Sequence, residues 1–229
     1  MKKEIIQTKD GSTTFYLPEL NETYHSKNGA IQEAYHVFIK NGFSLFEGHE
    51  LLRTGEAKPI SILEIGFGTG LNAFITSLES QNNNQTVDYV GVEAYPITQE
   101  EALTMNYANQ IDASKNEVFQ KIHQIDWEIK TQLNTTFQLT KRKQLFQDIV
   151  DIEVFDLIYF DAFGYDVQPE LWSDEIFEKM FIALKSGGVL VTYACRSVIK
   201  NSMISAGFKI EKLPGAPGKR EMLRASKQA

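Results

Sequence analysis

One run limits what this chain can fold into more than any other: ILEIGFGTGLN, residues 62–72. Ile62, Leu63 and Ile65 predict a buried strand. Gly66, Gly68 and Gly70 follow at every second position, and a helical pattern starts at Leu71. Glycines allow positive φ and let backbone amides approach a ligand closely, and a helix N-terminus favours polar groups. A strand–glycine–helix corner of this kind belongs to a doubly wound α/β domain, whose ligands sit off the carboxyl ends of the strands.

The rest of the chain predicts alternating β and α units. Upstream, IIQT and TTFYLP flank Asp10-Gly11, a hairpin signal. Ile31, Ala34, Tyr35, Phe38 and Ile39 fall at helical spacing until Asn41-Gly42. Residues 1–45 therefore read as a small hairpin and helix extension packed on a core domain spanning 46–229. Downstream, strands are predicted at 88–93, 118–125 and 155–163, with helical patterns to about Leu78 and over 98–111. Residues 128–150 read as additional β structure with a basic TKRK tip. Ser173 caps a helix that Gly187 closes, GGVLVTYAC is a further strand, and 197–206 is a short helix. The final pair, AGFKIEKL and KREMLRA, is joined by too short a loop for a parallel crossover, so it must close the sheet as an antiparallel hairpin.

The expected fold is thus α/β and Rossmann-like, with a mostly parallel seven-stranded sheet closed by an antiparallel C-terminal hairpin. That closure is the plan of class I S-adenosylmethionine methyltransferases and differs from the NAD-binding plan. The glycine spacing agrees, because it lacks the G-x-G-x-x-G that seats a pyrophosphate. Glu64 stands close enough to the glycines to help hold a cationic group. Glu93 ends the next strand, near the spacing at which a carboxylate receives ribose hydroxyls. Asp126-Trp127 offers a hydrogen bond and a stacking surface for adenine. In FDLIYFDAF, an apolar run of central-strand character ends abruptly in Asp161. A carboxylate there costs desolvation unless it has a partner, which marks it as a site residue.

Composition narrows the setting. Cys195 is the single cysteine, so no disulfide framework or cysteine-based metal site is expected. His25 and His36 are not a helix-face ligand pair, and no metal is expected. No run is long and apolar enough to span a membrane, and the N-terminal residues lack the apolar core of a signal peptide, so a cytoplasmic setting is expected. The formal net charge is −7, yet from Arg196 onward eight Lys/Arg face only Glu211 and Glu221. Such an end either docks a polyanion or is a solvated tail.

The segments TYHSKNGAIQEAYHVF, LEIGFGTGLN, FDAF followed by PELW, LKSGGVLVTY and AGFKI…PGAPGKREML resemble a known family over residues 20–225. It is the tRNA 5-methylaminomethyl-2-thiouridine-forming methyltransferase family, found as the N-terminal domain of the bifunctional MnmC or alone as MnmD. The resemblance implies methyl transfer from S-adenosylmethionine to the amine of a 5-aminomethyl group on the wobble uridine, in the anticodon region of tRNA. It implies a functional link to the enzymes that install the aminomethyl group. It implies that Gly66, Gly68, Gly70 and Asn72 join the cofactor set, and that Asp161 orients the amine and accepts its proton. Phe163 and Tyr165 would stack the base, Tyr24, His25 and Glu33 would line the acceptor side, and Lys219 and Arg220 would meet phosphates. Gly164-Tyr165 and Gln168 depart from the family's usual Ala-Pro and Asn, beside the acceptor pocket. A second, FAD-dependent domain like that of MnmC is not expected within these 229 residues. Three other readings stay open: a small-amine methyltransferase, a non-catalytic nucleotide-binding scaffold, and an NAD-dependent oxidoreductase.

Overall fold

The computed structural model describes residues 2–46 and 58–228. The chain begins with a small antiparallel sheet of β1 (Glu4–Gln7), β2 (Thr13–Leu17) and β3 (Glu22–Thr23). A short helix, α1 (Ala30–Ala34), runs on into π-helical turns over Tyr35–Lys40. This stretch is part of the main core, because Val37, Phe38 and Phe43 are buried and the Phe38 ring lies 5.0 Å from that of Tyr159. The expected domain boundary at 45/46 falls against residues 47–57, which lie outside the described residues.

The main sheet starts with β4 (Ile60–Ile65), followed by α2 (Leu71–Asn82) and β5 (Val87–Val92). Next come α3 (Gln99–Ala102), α4 (Tyr107–Ile111), α5 (Asn116–Gln124), the two-residue β6 (Thr131–Gln132) and β7 (Phe137–Arg142). β8 (Phe155–Phe160), α6 (Asp174–Ala183), β9 (Leu184–Thr192), α7 (Ser197–Ser205), β10 (Lys209–Pro214) and β11 (Glu221–Ser226) complete it. The order across the sheet is β10-β11-β9-β8-β4-β5-β7-β6. β7, β5, β4, β8 and β9 are parallel, while β10, β11 and the edge strand β6 are antiparallel. The sheet is the expected one of seven strands, with β6 as an eighth at the edge.

Central strands alternate their side chains between two cores. Ile62, Leu157 and Tyr159 join one cluster with Phe74 and Phe119 from α2 and α5. Leu63, Ile65, Ile158 and Phe160 join the other, with Phe177 and Met203 from α6 and α7. Helices on both faces bury both sides of the parallel strands, which explains their unbroken apolar runs.

Three local expectations are overturned. Residues 118–125 are not a strand: Val118, Phe119, Ile122 and Ile125 recur at helical spacing, and most of them form α5. The third parallel strand is β7, inside the 128–150 segment, so TKRK is the end of a sheet strand and not a tip. Gly187 does not close the preceding helix; α6 ends at Ala183 and Gly187 lies within β9 with φ +78°. Among the described residues no helix is long and apolar enough to cross a membrane.

Candidate active site

Strand order reverses at β4, whose neighbours are β5 on one side and β8 on the other, so a crevice opens above their carboxyl ends. The glycine corner fills it. Gly66 and Phe67 both donate their backbone N–H groups to Val92 O at 3.0 Å, tying the turn to the end of β5. Gly66 is required here: its φ is +87°, and a Cβ would lie 2.3 Å from the carbonyl oxygen of Asp161. The loops after β4 and β8 therefore touch through bare backbone.

A cavity of about 600 Å³ opens over this contact. At one end Glu93 accepts from the Gly68 N–H at 3.0 Å and from the Tyr95 N–H at 3.0 Å. In the middle, the Asn72 amide donates to Glu64 Oε1 and to Asp161 Oδ2, both at 2.9 Å. At the far end stand Tyr24, Phe163, Glu33, Tyr193 and Lys219. Tyr24 and Phe163 meet edge to face at 5.1 Å. The Phe163 backbone is fixed by the Trp172 indole N–H, which donates to its carbonyl at 2.8 Å, and the Tyr193 hydroxyl donates to Ala162 O at 2.8 Å.

Burial sets the protonation states. Asp161 is pushed up to about 7, first by desolvation and then by repulsion from Glu33, while the Asn72 hydrogen bond and Lys219 oppose the shift. Glu64 is fully buried and held well above the carboxylate range by desolvation, against hydrogen bonds from Tyr89 and Asn72. His25 is pushed down to about 4 by burial. It is neutral at pH 7 and links Thr14 on β2 to Thr69 in the glycine loop, at 3.0 and 3.4 Å.

The cavity brings together Gly66, Gly68, Asn72, Glu93, Asp161, Tyr24, His25, Glu33, Phe163 and Lys219. Other expected residues lie elsewhere. Glu64 sits beneath the cavity without lining it, and its carboxyl oxygens take Asn72 and the Tyr89 hydroxyl, so it positions Asn72. Gly70 backs onto His123 on the far side of the loop. Asp126 is exposed and Trp127 packs 6.1 Å from Phe67, and neither lines the cavity. Both were placed by the misread strand; Leu145 and Gln147, in the loop after the true third strand, line the cavity there instead. Tyr165 and Arg220 line an adjoining hollow of about 320 Å³ that shares Tyr193 and Lys219 with the main cavity. Lys219 points inward, with Nζ 2.5 Å from Glu33 Oε1 and 3.7 Å from the Tyr193 ring centre. Tyr193 was missed, although its place just after the end of β9 follows the same carboxyl-end rule that picked out Asp161.

A family model described as S-adenosyl-L-methionine-dependent methyltransferase matches residues 102–228. The chain belongs to that family. Among curated proteins, the tRNA 5-methylaminomethyl-2-thiouridine biosynthesis bifunctional protein MnmC of Cupriavidus metallidurans is 27% identical over 96% of this chain and 33% of its own length. The protein of the same name from Campylobacter fetus is 27% identical over 92% of this chain and 34% of its own length. The chain spans about one third of the length of these relatives. In fold it matches the crystal structure of MNMC2 from Aquifex aeolicus, with a TM-score of 0.75 and 24% identity over 100% of this chain and 71% of that one. The curated relatives carry the name of the family that the motifs resemble.

The family's cofactor is S-adenosylmethionine, and the residues suit it. The buried Asn72 Oδ1 has no hydrogen-bond partner among the described residues, an acceptor left over for a donor such as the cofactor's amino group. Glu93, beyond the glycine loop, has the chemistry to accept ribose hydroxyls. Among the described residues no group of three or more His, Cys, Asp or Glu side chains is placed to hold a metal ion.

Proposed function

We propose that the chain methylates the primary amine of 5-aminomethyl-(2-thio)uridine at the wobble position of tRNA, forming the 5-methylaminomethyl product. The observation that carries this reading is Asp161: a half-buried carboxylate, pushed up to about 7, at the end of a central strand and beside the aromatic wall of Phe163 and Tyr24. Bound S-adenosylmethionine supplies a methyl group on a sulfonium; its transfer breaks the carbon–sulfur bond and forms the nitrogen–carbon bond. The protein's own task is to deliver the amine with its lone pair free.

An alkylamine titrates near 10.4 by analogy with lysine, so it arrives as ammonium. An ordinary aspartate near 3.9 lies about 6.5 units below it, and proton transfer would cost about 9 kcal/mol at 1.36 kcal/mol per unit. With Asp161 at about 7 the gap is roughly 3.4 units, or about 5 kcal/mol. Burial thus makes Asp161 a more capable proton acceptor than its residue type alone implies. Asn72 holds its other oxygen in place, and Phe163 and Tyr24 give a base the flat apolar surfaces that stacking needs. A wobble base is already unpaired, so splaying it out costs little.

One observation favours a smaller acceptor. Of the eight basic residues from Arg196 onward, Arg196, Lys212, Lys219, Arg224 and Lys227 are ion-paired to carboxylates, which weakens a polyanion footprint. The test is to incubate the protein with labelled S-adenosylmethionine and either tRNA carrying 5-aminomethyl-2-thiouridine or the free nucleoside, then digest and separate nucleosides. Label in 5-methylaminomethyl-2-thiouridine from tRNA alone, absent with Asp161→Ala, is the expected result. Equal labelling of the free nucleoside would favour the small-amine reading. No label from either, with cofactor binding intact, would reject both.

A further inference from the structure

We propose that Lys219 selects the neutral, nucleophilic form of the acceptor amine by fixing a positive charge at the acceptor end of the cavity. The inference rests on the amine-methylation reading above and extends it to a positioning residue and its partner, Glu33.

The turn between β10 and β11 sets Lys219 in place. Its N–H donates to Ala216 O at 2.8 Å, and the Gly215 N–H donates to Arg220 O at 3.1 Å. Gly218 has φ +88°, and a Cβ there would lie 2.0 Å from Asn28 Nδ2, so this turn is pressed against the N-terminal segment. The side chain then runs inward over the Tyr193 ring to Glu33, which α1 supplies, and Ser26 N–H holds the other Glu33 oxygen at 3.1 Å. Lysine–carboxylate pairs on a surface fix little. This one is walled by an aromatic face and lines the same cavity as Asp161.

The charges facing this end come from every element around it. Asp161 follows β8, Glu33 lies on α1, and Lys219 stands on the β10–β11 turn. Glu22 from β3 and Glu170 from the turn Pro169–Trp172 also line the cavity, and Glu93 at the opposite end accepts from two backbone amides. Tyr24 and Tyr193 are pushed upward by burial and His25 downward, so all three are uncharged at pH 7. Glu64, beneath Asn72, is shifted toward its neutral form by burial, against hydrogen bonds from Tyr89 and Asn72.

Without Lys219, two carboxylates beside an aromatic ring would make a good alkylammonium site. That is the wrong preference for a methyltransferase, because an ammonium has no lone pair. With Lys219 in place, the charge of Glu33 is neutralised and a second cation is repelled. Asp161 then takes the one proton that the amine must lose as it enters, and the nitrogen is left with the lone pair that forms the new bond.

The test compares wild type, Lys219→Met, Lys219→Arg and Glu33→Gln. It uses tRNA carrying 5-aminomethyl-2-thiouridine, with kcat and KM measured between pH 6 and 9.5 and acceptor binding measured over the same range without methyl donor. In Lys219→Met the acidic limb of kcat should move up by about one unit, the usual effect of losing one nearby charge. Acceptor binding should become several-fold tighter at pH 6.5, with the excess shrinking as pH rises. Lys219→Arg should return the limb to its wild-type position. Glu33→Gln, which leaves the lysine charge unopposed, should move it the other way; this arm stands even where Lys219→Met fails to fold. An unmoved limb in both Lys219→Met and Glu33→Gln, with thermal unfolding and cofactor binding intact, would overturn the inference. So would a pH-independent, salt-sensitive loss of tRNA binding in Lys219→Met, which would make the residue a phosphate contact. Absence of transfer by the wild type would instead reject the methylation reading, and the binding arm, which needs no turnover, would still decide the role of Lys219.

Discussion

Replacing Asp161 with asparagine should abolish methyl transfer and at the same time stabilise the fold at neutral pH. The folded-state value of Asp161 is raised from 3.8 to about 7. Below about pH 4 the group is protonated in both folded and unfolded chains and contributes nothing. As pH rises from about 4 to 7 the unfolded chain ionises first and binds fewer protons, so stability falls; above 7 the loss is complete and constant. At 1.36 kcal/mol per unit the ceiling is about 4 kcal/mol, and residual solvent contact brings the expected gain to about 1–3 kcal/mol. The Asp161→Asn amide oxygen can still accept from Asn72, whose donation at 2.9 Å is then kept. Urea unfolding of wild type and Asp161→Asn at pH 4, 5.5, 7 and 8 measures this directly. The variant should be the more stable at pH 7 and 8, and the two should converge at pH 4. A difference that is constant across pH, or a less stable variant at pH 8, would refute the claim that Asp161 is held against its ordinary ionisation.

Two further predictions concern the cofactor end. Glu93→Ala should weaken S-adenosylmethionine binding at least about tenfold, as expected for losing charge-assisted hydrogen bonds, while Asp126→Ala should leave it within about twofold in the same calorimetric titration. Gly91→Ala on β5 should weaken both stability and cofactor binding. Its Cβ would lie 2.3 Å from Phe67 Cδ2, and the ring, which lines the cavity, must move at a cost of about 1–3 kcal/mol, read by thermal unfolding and by the same titration.

Features written in consecutive residues were legible in the sequence. The glycine corner, the β8 run into Asp161 and the closing hairpin each depend on local spacing, and all three stand as read. The third parallel strand was not. Short apolar runs are ambiguous between strand and helix, and EVFQKIHQI was taken for the wrong one. The true strand, FQLTKR, was disguised by Lys141, a lysine only 1% exposed at a position where the alternation calls for an apolar residue. Its stem is buried, and its ammonium lies over Trp127 and donates to His123 O at 3.3 Å, partners that belong to α5 and the loop after it. Asp126-Trp127 was picked from that misplaced strand end, whereas Leu145 and Gln147 in the loop after β7 line the cavity.

The same limit explains the reading of charge. Counting Lys and Arg toward the C-terminus gave their number but not their partners, which are set by register and by long-range contact. Glu211 faces Arg224 across β10 and β11, and their carboxylate and guanidinium meet at 2.7 Å. Lys219 finds Glu33, on the other side of the chain's length, only once the N-terminal helix has packed beside the hairpin turn. A basic run therefore says little about a polyanion until its pairings are known. Here the pairing moves one lysine from the expected tRNA surface into the acceptor cavity, where its charge bears on which protonation state of the amine can enter.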